Sequence, residues 1–193
     1  IPSFMEYLFS NRAGWACLGW LDGDPLIEEI DGEHQEWYTW PNQREKLISS
    51  AQWHADQGHN LYVRQVLFAK RSGTKAAALP SAILWQDEAR IDTPASLLVE
   101  TSSGNYQAHI KLDRDASTAD RERMMRAWRN ARPGADDCSA NPVAFVRVPG
   151  GHNTKRHGDW LVRYAMQSSR IYTADRLLAR CDAGRGETHA PPA

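Results

Sequence analysis

The sequence predicts a mixed α+β (α/β) fold in which a sheet presents one open face to a cleft. Three patterns carry that expectation. Residues Leu97 to Leu112 read as two strands joined by Ser102-Ser103-Gly104-Asn105. The second strand alternates strictly, with Tyr106, Ala108, Ile110 and Leu112 on one face and Asn105, Gln107, His109 and Lys111 on the other. A period of two marks a strand with one face in a core and one open. Apolar residues recur at helical spacing in two further stretches, Leu47/Ile48/Ala51/Ala55 and Met124 or Met125/Trp128/Ala131. Strands and helices then alternate along the chain with two hairpins, the signature of a sheet covered by helices.

The elements follow in order. Residues 2 to 11 open as a helix with Phe4, Tyr7 and Leu8 on neighbouring positions. Gly14 to Leu21 is a strand, ended by the turn signal Asp22-Gly23-Asp24-Pro25. The acidic piece from Glu28 to Glu36 is a loop or hairpin arm. Pro41 suits a first helical position, and Gly58 closes that helix. Asn60 to Phe68 is rich in strand formers and leads into the basic loop Ala69 to Lys75, either a solvated hairpin tip or a contact for a nucleic-acid backbone. Ser81 to Asp87 is an apolar strand that ends in Gln86-Asp87-Glu88-Ala89-Arg90. Ser117 or Thr118 caps the next helix, with Asp120 in its first turn. Arg121, Arg123, Arg126 and Arg129 fall on its other faces, as on a solvated helix, and Pro133-Gly134 stops it. Val143 to Val148 is a strand running into Pro149 to His157, where two glycines offer backbone N–H groups to an anion. Trp160 to Met166 is one further strand and Tyr172 to Arg180 a short helix capped by Thr173. Residues 182–193 read as a tail, leaving 1–181 as the folded domain.

Composition narrows the function. With 23 Lys and Arg against 24 Asp and Glu the net charge is −1, so contacts to nucleic acid must come from local patches. Cys17, Cys138 and Cys181 are far apart, and no Cys/His spacing suits zinc, which favours a reducing, cytoplasmic compartment. No apolar run approaches a membrane span and no signal peptide is visible, so no membrane partner is expected. Eight tryptophans supply core, with one or two available for stacking bases.

Three features share one explanation: the strand-end carboxylates Asp87 and Glu88, the Ser-Gly turn with its polar strand, and Asp136/Asp137 ahead of a Pro-Gly-Gly-His-Asn-Thr-Lys loop. Carboxylate oxygens hold Mg²⁺ or Mn²⁺, and amide and cationic groups hold a triphosphate. These are the parts of metal-assisted phosphoryl or nucleotidyl transfer. In order and content they resemble the archaeo-eukaryotic primase superfamily, in particular the RepB-type primases and primase-polymerases of plasmids and phages. Leu84-Trp-Gln-Asp-Glu-Ala89 is similar to its first motif, Thr101-Ser-Ser-Gly-Asn-Tyr-Gln-Ala-His109 to its second, and Gly134-Ala-Asp136 with Arg147-Val-Pro-Gly-Gly-His-Asn-Thr-Lys155 to its third and the segment after it.

The resemblance covers residues 60–155 best. It implies an RRM-like antiparallel sheet lobe and a smaller α/β lobe with a cleft between them. It further implies synthesis of short primers from NTPs or dNTPs on single-stranded DNA, for a plasmid, phage or integrated element, with a replicative helicase entertained as partner. Carried over, Asp87 and Asp136 become catalytic metal ligands, with Glu88 or Asp137 completing the set around Mg²⁺ or Mn²⁺. His109 becomes catalytic and contacts the nucleotide with Ser103 and Gln107, while Arg147, His152, Asn153 and Lys155 take the phosphates. Two departures stand out: Ala89 occupies the place of the second motif-one carboxylate, and Gln107 the place of a motif-two His. Glu88 can replace the missing carboxylate only if the strand bulges or ends there. Two other readings remain: a catalytically weakened binding module of the same fold, and a rolling-circle nicking relaxase. The second needs a His-x-His pair, which the chain lacks.

Overall fold

A computed structural model describes residues 1–22, 30, 32–131, 140–154 and 158–183. Two sheets share one core. The first is built from β1 (Gly14–Leu21), β2 (Gln35–Trp40), β3 (Asn60–Arg64), β7 (Phe145–Arg147), β8 (His152–Asn153) and β9 (Trp160–Leu161), in the order β2-β1-β3-β8-β9 with β7 also on β3. Helix α2 (Arg44–Asp56) packs on it through Leu47, Ala51, His54 and Ala55, a single stripe at helical spacing. The second sheet holds β4 (Ser81–Ala89), β5 (Leu97–Ser102), β6 (Asn105–Ala116), β10 (Arg163–Gln167) and β11 (Ile171–Tyr172), in the order β10-β5-β6-β11 with β4 also on β6. Helix α3 (Thr118–Asn130) packs against β4, and α4 (Ala174–Ala183) against α3 and β6.

Helix α1 (Pro2–Phe9) is the wedge between the sheets. Phe4 sits edge-on to His109 of β6 at 5.5 Å, and Phe9 edge-on to Trp40 of β2 at 5.3 Å. Phe4, Met5, Leu8 and Phe9 are fully buried, each contributing about 1.5–3 kcal/mol of apolar burial. Where the two sheets approach beyond α1, polar side chains replace apolar ones, and that seam is the candidate site.

Several expectations are corrected here. The face of β6 carrying Gln107 and His109 is not open: they are 4 % and 0 % exposed, because the first sheet and α1 pack on it. Arg121 is buried rather than solvated. Pro41 lies in the turn before α2, whose N-cap is Gln43. The piece ending at Glu36 runs into β2. The single strand expected over Trp160 to Met166 is two, β9 in one sheet and β10 in the other, because Val162 turns the chain between them with backbone bonds to Gly150 and Gly151. Helix α4 runs to Ala183, into the expected tail. By contrast β1 has its expected bounds, and Ser117 caps α3 by accepting from the Asp120 N–H at 3.1 Å.

Candidate active site

The site begins with an irregularity in β4. Gln86 pairs with Ala108 and Ala89 with Tyr106, so Asp87 and Glu88 together stand opposite the single residue Gln107. This is a β-bulge, the condition under which adjacent carboxylates escape strict alternation. Glu88 has φ 51°, a left-handed conformation costing about 1–3 kcal/mol in a residue other than glycine. The Glu88 N–H donates to Asp87 Oδ1 at 3.0 Å, fixing that carboxylate against its own backbone. Asp87 is half-buried and Glu88 exposed. Ala89, paired with Tyr106, packs with Ala95, Leu98 and Ala108 on the face towards Trp128 of α3. The position of the missing carboxylate therefore faces away from the seam.

Opposite the bulge, Gln107 ties the sheets together: its Oε1 accepts from the Arg147 backbone N–H at 2.9 Å. Its amide nitrogen makes no further hydrogen bond among the described residues. Arg147 Nη1 donates to Asn60 Oδ1 at 3.0 Å, and the guanidinium lies over the Tyr62 ring at 4.8 Å. The same Asn60 oxygen accepts from Thr154 N at 3.2 Å, while Asn60 Nδ2 donates to Thr154 Oγ1 at 2.8 Å. Asn153 Nδ2 donates to the Thr101 carbonyl at 2.6 Å, a second bridge between sheets. His152 bonds through Nδ1 to Asp159. Ser103 is exposed in the two-residue turn beyond β5, where Gly104 takes φ 76°.

Register and hydrogen bonds thus link the Asp87–Glu88 bulge to Gln107 and Arg147, and Asn153 to Thr101, while His152 bonds Asp159 and Ser103 lies in the exposed turn. Asp136, Asp137 and Lys155 lie outside the described residues. Asn60 is the hub that sequence reasoning missed; its signal was an amide opening an otherwise apolar strand.

His109 stands apart. Neither ring nitrogen has a partner among the described residues, and Phe4 and Tyr7 meet the imidazole edge-on. Its catalytic and nucleotide-contacting role is accordingly not retained. Burial pushes the imidazole down to about 3 from 6.5. The folded state keeps the base neutral while the unfolded chain takes up a proton, so this contribution is complete above pH 6.5 and lost as pH falls towards 3. At pH 4.5 the loss is about 2–3 kcal/mol. His109→Leu should flatten the acid limb of melting temperature against pH; an unchanged limb would refute the neutral, buried imidazole.

Over residues 74–183, more than half its length, the sequence matches the RepB DNA-primase N-terminal domain family. The chain belongs to that family. Solved structures show the same fold. Primase RepB′ aligns over 96 % of this chain and 62 % of its own at 17 % identity, TM-score 0.67. The catalytic domain of primase RepB′ in complex with initiator DNA aligns over 97 % of each chain at 17 % identity, TM-score 0.65. The AEP domain of the primase-polymerase of cyanophage S-2L aligns over 92 % of this chain and 94 % of its own at 14 % identity, TM-score 0.63. The chain therefore spans 62 % of primase RepB′. No curated protein matches it in sequence. No helix among the described residues is long and apolar enough to cross a membrane.

Proposed function

We propose that the seam between the sheets synthesises short primers on single-stranded DNA from NTPs or dNTPs, using Mg²⁺ or Mn²⁺. The observation that carries this reading is the bulge, which sets Asp87 and Glu88 together opposite Gln107. Carboxylate oxygens are the donors those ions take. Among the described residues no group of three His, Cys, Asp or Glu side chains is placed to hold an ion. Asp136 or Asp137, at the head of the next segment, would complete the set begun by Asp87 and Glu88. An ion held there would offset the charge that develops on the transferring phosphoryl group.

The chain's own groups do the rest. The Gln107 amide nitrogen donates to a phosphate oxygen, while its carbonyl end stays on Arg147. Arg147, positioned by Asn60, and Lys155 neutralise the triphosphate. Asn153 and Ser103 border the nucleotide at the turn of the second sheet. His152, engaged by Asp159, serves at the rim. The folded domain, with α4 running to Ala183, works in the cytoplasm on a plasmid, phage or integrated element beside a replicative helicase.

The test is incorporation of labelled NTPs or dNTPs on single-stranded DNA with Mg²⁺ or Mn²⁺, with chelator as control. Template-dependent products that vanish with chelator support the reading. Ala89 in the place of the second motif-one carboxylate also favours a weakened binding module. DNA and nucleotide bound without incorporation under either ion would select that alternative.

A further inference from the structure

We infer that Tyr164 is a stacking platform for a base of single-stranded template DNA, an inference that rests on the primase reading above. Tyr164 of β10 pairs with Val99 of β5, Val99 pairs with Gln107 of β6, and Gln107 stands opposite the Asp87–Glu88 bulge of β4. Directly paired residues on neighbouring strands share a face. One rung of the sheet therefore carries Tyr164, Val99, Gln107 and the two carboxylates in a line. Gln107 faces the seam, since it bonds the Arg147 backbone there. Tyr164 emerges on the same face at the outer end of that line.

The ring is placed to be used. It is 40 % exposed, whereas Val99 beside it is fully buried. The other face of β10 is anchored: Met166 packs with Ala89, Leu98 and Ala108, and Arg163 bonds Glu100 at 2.7 Å while lying over the Trp160 ring at 5.3 Å. A register shift between Tyr164 and Met166 lets these two residues, two apart in sequence, face opposite sides of the sheet. Partial burial raises the phenol's pKa.

Position decides for a base. Strands lie about 4.8 Å apart, so three steps put the Tyr164 backbone roughly 14 Å from that of Asp87. At about 3.4 Å per stacked nucleotide, that is on the order of four nucleotides. A strand whose copied base lies by Asp87, and whose later bases continue towards β10, meets Tyr164 with one of them, on an aromatic ring of the kind single-strand binders stack on.

The experiment is equilibrium binding of a fluorescent oligothymidylate, without metal or nucleotide, to the parent chain, Tyr164→Ala and Tyr164→Phe. The same titrations use a strand of equal length with an abasic backbone. A base–aromatic stack carries about 1–3 kcal/mol, so Tyr164→Ala should bind thymidylate about 5- to 150-fold more weakly, with Tyr164→Phe within about twofold of the parent. The abasic strand should bind all three alike. Parent-like thymidylate binding by Tyr164→Ala overturns the inference, and so does an equal loss on the abasic strand. A chain that binds through Tyr164 yet never extends a primer would refute the primase reading and leave the platform standing.

Discussion

Asp87→Asn should lower metal-dependent primer synthesis by at least about a thousandfold while leaving the melting temperature equal or slightly higher. The loss corresponds to roughly 4 kcal/mol of transition-state stabilisation, within reach of an ion losing an anionic ligand. Stability should not suffer, because asparagine keeps the oxygen that accepts the Glu88 N–H and removes one of two adjacent like charges. Glu88→Gly supplies the complementary result. Glycine adopts φ 51° without strain, so the substitution should stabilise the fold by about 1 kcal/mol, a few degrees of melting temperature, and still reduce synthesis. Full synthesis by Asp87→Asn would remove the catalytic assignment. Full synthesis by Glu88→Gly would return Glu88 to the role of a turn residue.

The same bulge shows what the sequence carries and what it does not. The order of the motifs and the end of the apolar strand at Asp87 are local facts, so they were legible. That Asp87 and Glu88 share one rung depends on β6, whose pairing with β4 no local pattern specifies. The period-2 reading of Asn105 to Leu112 correctly finds a strand. It leaves the polar face open to a cleft because it cannot see a second sheet packed there, and that sheet's Arg147 backbone satisfies Gln107 from 40 positions away. Asn60 was missed for the same reason: its partners Arg147 and Thr154 are 87 and 94 residues distant. Arg121 is a different failure. It stands three and four positions before Met124 and Met125, on the stripe that was read as apolar, and the spacing alone was enough to place it inside.

That buried arginine carries the largest stability effect expected. Arg121 is 0 % exposed; its Nε donates to the Ile83 carbonyl at 2.9 Å and its Nη1 to the Pro142 carbonyl at 3.1 Å. Burial pushes the guanidinium down to about 9, so it still carries its charge at neutral pH. Its neighbours act on the same stretch: Trp85 Nε1 and Gln65 Nε2 each donate to the Asn141 carbonyl at 3.0 Å, and Arg64 Nη1 donates to the Val143 carbonyl at 2.7 Å. Side chains from α3, β4 and β3, with Gln65 just beyond β3, thus hold residues 141–143, and Arg121 ties them to Ile83 of β4. Arg121→Met keeps most of the volume but leaves two buried carbonyls without donors, each worth about 1–3 kcal/mol. The expected loss is about 3–5 kcal/mol, or on the order of 10 °C in melting temperature for a chain of this size. Arg126→Met removes a guanidinium from the same helix, but one paired at the surface with Glu122, and should cost under about 1 kcal/mol. Thermal melts of the two variants side by side decide the matter. If Arg121→Met melts as high as Arg126→Met, the buried guanidinium is not what fastens residues 141–143 to the sheet that carries Asp87.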